Sequence, residues 1–198
     1  VTLLASHPVG DHPRVHALAA LMQLNGARLP ARLDGHGKIL RLEEQDRSTW
    51  DKSMIARGLF HLAQSTSGES LSEYHLQAAI AALHCAAHNY ESTNWGQILS
   101  LYDQLIEIDD SPVIALNRAV ALAQVHGPRA GIVAVENIRP RQSLESYYLL
   151  YAVLAEFESQ LCDFQAAANH LRKALELAEL KSEQSFLSNR LRDCEKSR

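Results

Sequence analysis

The feature that most constrains this chain is an alternation of small and large apolar residues near its C-terminal end. Tyr151 and Leu154 are large, Ala155 is small, Cys162-Asp163-Phe164 reads as a turn, and Ala167, Leu171 and Ala174 follow as small, large and small. Small residues let two helices cross closely, and large ones fill the spaces between helix pairs. The turn at Cys162 lies 35 residues beyond Gly127, and a third register falls at Ser92, in Glu91-Ser92-Thr93-Asn94. A period close to 34 residues is that of stacked helical hairpins. Between the registers at Ser92 and Gly127, Ser111-Pro112 opens a helix with a capping residue and a proline at its first position, and Gly127-Pro128 closes it. That helix is apolar almost all round, which predicts burial on several sides. Asn117 and Arg118 interrupt it, either to grip an extended peptide or to satisfy loop carbonyls.

Periodicity and breakers predict nine helices in all. The first spans about 12–25, capped by Asp11 with Pro13 in its first turn and stopped by Asn25-Gly26. Residues 27–47 read as a short hairpin or irregular loop with a glycine-rich tip at Asp34-Gly35-His36-Gly37, and any strand should lie within 30–43. Ser48-Thr49-Trp50-Asp51 has capping-box spacing and opens a helix to Ala63, with Trp50, Met54, Leu59 and Leu62 as its core face. Further helices are expected at about 73–88, 94–108, 112–126, 128–138, 144–160, 163–178 and 182–194, the last as an amphipathic end cap. The expected organisation is one continuous helical domain: an upstream block at 12–66, repeats at 73–180 and a cap at 182–195. The nearest thing to a boundary is the polar linker at 64–72.

The Tyr151–Glu179 pattern resembles a tetratricopeptide (TPR) hairpin. A wider set of residues resembles the C-terminal extension of a group of bacterial extracytoplasmic-function (ECF) RNA polymerase sigma factors. In the repeats these are Leu101-Tyr102-Asp103-Gln104-Leu105, Ser111-Pro112-Val113, Leu116-Asn117-Arg118-Ala119-Val120-Ala121 and Gly127-Pro128. Upstream they are Leu18-Ala19-Ala20-Leu21-Met22, Ala27-Arg28, Pro30-Ala31-Arg32, Leu42-Glu43-Glu44-Gln45-Asp46-Arg47-Ser48, Trp50-Asp51, and Tyr74 with Gln77 to Ala82. The resemblance implies an all-α fold, a TPR-like α-solenoid with an N-terminal helical block and one irregular loop or short hairpin. It also implies a cytoplasmic, non-catalytic regulatory domain without a cofactor. Its partners would be the sigma regions of the same full-length protein and core RNA polymerase. Promoter DNA would be reached only through sigma regions 2 and 4, which are absent from this sequence. The start at Val1 rather than Met agrees with a piece of a longer chain.

The chemistry of the side chains points the same way. A net charge of −4 and a pI near 6.2 argue against a free-standing nucleic-acid binder. Cys85, Cys162 and Cys194 are scattered and odd in number, as reduced thiols are, and no apolar run reaches membrane-span length. His84 and His88 have an i, i+4 spacing that can bind zinc, but a third ligand and an intervening glutamate are missing; they read as ordinary helix-end histidines rather than as a metal site. Glu43, Glu44 and Asp46 could serve as paired carboxylates or as partners of Arg28, Arg32, Arg41 and Arg47. The chain carries fourteen Arg against five Lys, which favours planar, multi-donor contacts. The residues expected to form a seam or an interaction surface are Arg28, Arg32, Glu44, Asp46, Arg47, Trp50, Asn117 and Arg118. With Arg28, Arg32, Glu44, Asp46 and Arg47 near the seam, charge-assisted hydrogen bonds would tie the loop to the first repeat pair, near Tyr74, Ile80 and Leu83. A small-molecule-sensing pocket beside the loop is the alternative reading.

Overall fold

The computed structural model describes residues 11–67 and 70–197. The fold is all-α, in packed helical hairpins, and the described residues contain nine α-helices and no strand. None of these helices is long and apolar enough to cross a membrane. By their internal contacts the described residues divide into two compact units, 11–34 with 40–109, and 110–197 with the loop tip 35–39.

The first unit contains α1 (Pro13–Gly26), α2 (Lys52–Ser65), α3 (Glu73–Ala86) and α4 (Trp95–Ile108). Helix α1 packs against both α2 and α3, and α3 against α4. The crossing of α1, α2 and α3 is built on Ala20, Leu24, Ala78 and Ala81, with Ile55, Leu62 and Cys85 at its edge. Gly58 sets the approach of α1 to α2: a Cβ there would sit 2.7 Å from Leu24 Cγ. The buried face of α2 therefore runs through Gly58, His61 and Ser65. Leu59, expected in the core, is turned out and 43% exposed, whereas Trp50 is buried and Met54 and Leu62 are half-buried.

Local caps also differ in place from the expectation. Helix α1 is capped by His12, whose Nδ1 accepts from Arg14 N at 3.2 Å, so Asp11 is released for another contact. Helix α2 is capped by Asp51, which accepts from Met54 N at 2.9 Å; Ser48 lies instead in a short 3₁₀ turn capped by Asp46. The interval 27–50 is a chain of 3₁₀ turns rather than a hairpin, closed by one ladder-like bond from Leu40 N to Arg32 O at 2.9 Å. His75 joins α3 to α2: its Nδ1 accepts from Ser72 N and its Nε2 donates to Ser65 O.

The second unit contains α5 (Pro112–His126), α6 (Pro128–Glu136), α7 (Tyr148–Gln160), α8 (Phe164–Leu177) and α9 (Lys181–Lys196). Leu116, Ala119, Ala123, Val135, Leu154 and Phe157 form one core cluster. Ala155, Ala167, Ala168, Leu171, Ala174 and Leu187 form the next, so the small-large pattern is the packing surface it was read to be. Two of the turns between these helices need left-handed backbone. Gly127 has φ +88° between α5 and α6, and Cys162 has φ +62° after α7, where Asp163 N reaches back to Glu158 O at 2.9 Å. That position is one that glycine ordinarily takes.

Two substitutions test this packing by urea denaturation. Gly58→Ala forces α1 and α2 apart and should lower stability by about 1–3 kcal/mol. Cys162→Gly relieves left-handed strain and should raise it by about 1 kcal/mol.

Candidate functional site: an arginine clamp on a helix end

Helix α3 stops at Ala86, and Ala87 is already extended, its N–H donating to Leu83 O, so the helix itself supplies no donor for the carbonyls of its last residues. The loop before α2 supplies one. Arg47 Nη1 donates to His84 O at 2.8 Å and to Ala87 O at 2.9 Å, and its Nη2 donates to Thr93 Oγ1 at 3.1 Å. A guanidinium suits this site because its planar fork reaches three acceptors at once and its charge faces the negative end of the helix dipole. Thr93 is itself fixed, its hydroxyl donating to Asn89 O.

Trp50 is the platform beneath the clamp. It is 97% buried, and the guanidinium carbons of Arg28 and Arg47 lie 5.0 and 4.9 Å from its ring centroid. Both arginines are held below the usual guanidinium range, chiefly by burial, and at Arg28 the positive charges of Arg32 and Arg47 add to the lowering. The block is tied to α1 through its backbone, with Asp51 N donating to Ala27 O at 3.0 Å. Beside the platform, Cys85 donates weakly to Leu24 O at 3.7 Å, and burial pushes its thiol up. The three cysteines are free. His84 packs edge-on against Trp95 at 5.3 Å, and burial together with Arg28 and Arg47 lowers it to about 3.

The expected residues are therefore brought together in part. Arg28, Arg47 and Trp50 form one cluster. Asp46 caps the turn that carries Arg47, and Glu44 accepts from Arg41 N at 2.7 Å, so both shape the loop. The acidic residues of the loop find Arg41: its Nη1 is 2.7 Å from Glu43 and its Nε 3.4 Å from Glu44. Arg28, Arg32 and Arg47 make no ion pair with them among the described residues, because Arg47 faces backbone carbonyls and Arg28 faces the indole. Arg32 is exposed. His84 and His88 do not share a helix face, since α3 ends between them and His88 is exposed in the loop. No group of three metal-ligating side chains occurs among the described residues. Asn117 is exposed and Arg118 half-buried on α5, in the second unit. Thr93 and the carbonyls of His84 and Ala87 were not among the expected residues. Only the break of helical pattern before Asn89 hinted that a helix end needed capping there.

A groove of about 700 Å³ runs alongside the clamp, lined by Leu42, Gln45, Trp50, Cys85, His88 and Tyr90 among others. Its lining mixes apolar groups with charged ones, Glu43, Asp46, Lys52 and Glu91 included.

Residues 1–66 match a family model described as a family of unknown function, DUF6596. The chain is also similar to an uncharacterized protein of Rhizobium meliloti (strain 1021), 35% identical over 179 residues. That alignment covers 90% of this chain and 42% of the relative. No solved structure matches the chain.

Arg47→Met should unclamp α3 and lower stability by about 2–4 kcal/mol, and Arg47→Lys should lose most of the same amount, since an ammonium cannot span three acceptors. The fluorescence of Trp50 and Trp95, both in this unit, reports the midpoint. His84 adds a pH dependence. Its folded value lies below the unfolded one near 6.5, so its neutral form contributes fully above 6.5 and the contribution is lost as pH falls from there toward 3. The loss reaches at most about 1.4 kcal/mol per pH unit. His84→Phe, which keeps the ring packing, should flatten that part of the acid limb in denaturation series between pH 7 and 5.

Proposed function

We propose that this chain is a non-catalytic interaction domain acting in transcription initiation, as the tail of an ECF-type sigma factor. The observation that carries the reading is the joint resemblance of the upstream block, Leu42 to Asp51 above all, and the TPR-like repeats to such tails. A TPR-like scaffold alone would be a weak signal, because the fold serves many functions. The relative from Rhizobium meliloti is more than twice as long as its aligned portion, which in that protein leaves room for further domains. Under this reading the tail contacts the sigma regions of its own protein or core RNA polymerase, in the cytoplasm, and tunes initiation through those contacts. DNA binding belongs to the sigma regions, in keeping with the net negative charge of this chain.

A pull-down of the chain against the isolated sigma regions and against core polymerase tests the proposal. Retention by one of them at micromolar concentration is expected. Loss of retention in Arg28→Ala or Arg32→Ala, with the fold intact by circular dichroism, would map the contact to the loop. Retention by neither would remove the proposal.

The groove beside Trp50 supports a second reading, a domain that senses a small molecule. A thermal-shift screen of metabolites should then return ligands whose effect disappears when His88→Trp narrows the groove. A screen in which no compound moves the midpoint beyond scatter would set this reading aside.

A further inference from the structure

Two histidines play no part in the clamp, yet they are among the most buried polar side chains of the first unit. His16 on α1 is 6% exposed and His61 on α2 is 7% exposed. Their Nδ1 atoms face each other at 2.9 Å, with ring centroids 5.1 Å apart. His16 Nε2 lies 2.9 Å from Asp11 Oδ1, the carboxylate released when His12 takes the helix cap. Because that nitrogen donates to Asp11, its ring is oriented and its Nδ1 is aimed at His61. A contact of 2.9 Å between two ring nitrogens is a hydrogen bond only if one proton lies between them. A neutral pair satisfies this, and so does a pair carrying one extra proton. A doubly protonated pair does not, since it sets two N–H groups head to head in a buried site.

We propose that the His16–His61 pair is a pH-sensitive clasp that fastens α1 to α2 and releases α1 when both imidazoles are protonated. Asp11 bonds the clasp itself, and the other charged and titratable groups around it are engaged elsewhere. On α1, Arg14 pairs with Glu73 of α3 at 2.6 Å and lies over the Tyr74 ring, and His12 accepts from Arg14 N. On α2, Arg57 reaches Ser53 Oγ at 3.4 Å. On α3, His75 is bonded to Ser72 and Ser65. Among the described residues only His16 acts electrostatically on His61, which burial and that neighbour together hold below the usual imidazole value. The sign follows. A group whose folded value is depressed binds its proton more readily once released, so the clasp holds above about pH 6.5 and loosens progressively below it. Helix α1 has most to lose, since it lies between α2 and α3 in the crossing of Ala20, Leu24, Ala78 and Ala81.

Hydrogen exchange of the whole chain at pH 7.5 and 5.5, corrected for intrinsic rates, tests the clasp. One additional proton taken up on opening multiplies the opening constant up to tenfold per pH unit below 6.5. Amides of residues 17–26 should therefore lose about tenfold protection at pH 5.5, while those of α8 keep theirs. His61→Gln, which can still donate to His16 Nδ1 but does not titrate, should abolish the difference once His84→Phe has removed the acid response of the clamp. His84→Phe should leave it in place, separating the clasp from the acid response of the clamp. Unchanged protection of α1 in the wild-type chain overturns the proposal, whether or not the variants fold. Loss of equal size in α8, or in the chain carrying both His61→Gln and His84→Phe, does so as well.

Discussion

Every helix must dispose of its last carbonyl groups, and α3 does so through the side chain of Arg47, 37 residues away from His84 in sequence. That single requirement organises the first unit. To deliver a guanidinium to the end of α3, the loop must run back past α1, which it does in short 3₁₀ turns held by Asp46, Arg41 and the closing bond between Leu40 and Arg32. Trp50 then fills the space under the guanidinium, and Asp51 starts α2 directly afterwards. A cation at a helix C-terminus gains from the dipole as well as from its hydrogen bonds. The site thus combines electrostatics, backbone satisfaction and apolar burial on one indole ring.

Close helix crossings are the second dependence. Gly58 against Leu24 in the first unit, and Ala155, Ala167, Ala168 and Ala174 in the second, bring helix axes near enough for backbone and short side chains to pack. Such crossings leave little room for large polar groups, so those enclosed must satisfy one another. His75 spans Ser72 and Ser65, and His16 meets His61. At the end of the second unit the same rule holds at the surface, where Tyr148 donates to Glu183 at 3.0 Å and Arg190 pairs with Glu156 at 2.6 Å.

Charge on the loop is spent on shape. Glu43 and Glu44 gather around Arg41, and Asp46 and Asp51 act as caps, their carboxyls held below the usual range by hydrogen bonds from Ser48, Ser53 and backbone amides. What remains directed outward near the platform is the exposed Arg32 and the polar edge of the groove, the features that the two functional readings rest on.

The sequence by itself determined the local structure: helix positions to within a few residues, the proline and glycine punctuation, and the small-large packing pattern of Tyr151 to Ala174. Those depend on interactions between near neighbours, which periodicity records directly. It also singled out Arg28, Arg47 and Trp50 as members of one seam. Only the tertiary structure decided what they do there. Charge pattern alone pairs arginine with the nearest acids, and Arg47 instead takes carbonyls that become available because α3 ends at Ala86, a fact invisible in residue types. In the same way, Leu59 was read as core and His61 was not. The rotation of α2 was settled by which residue, Gly58, admits α1 most closely, and that choice carried two histidines into contact across 45 residues of chain.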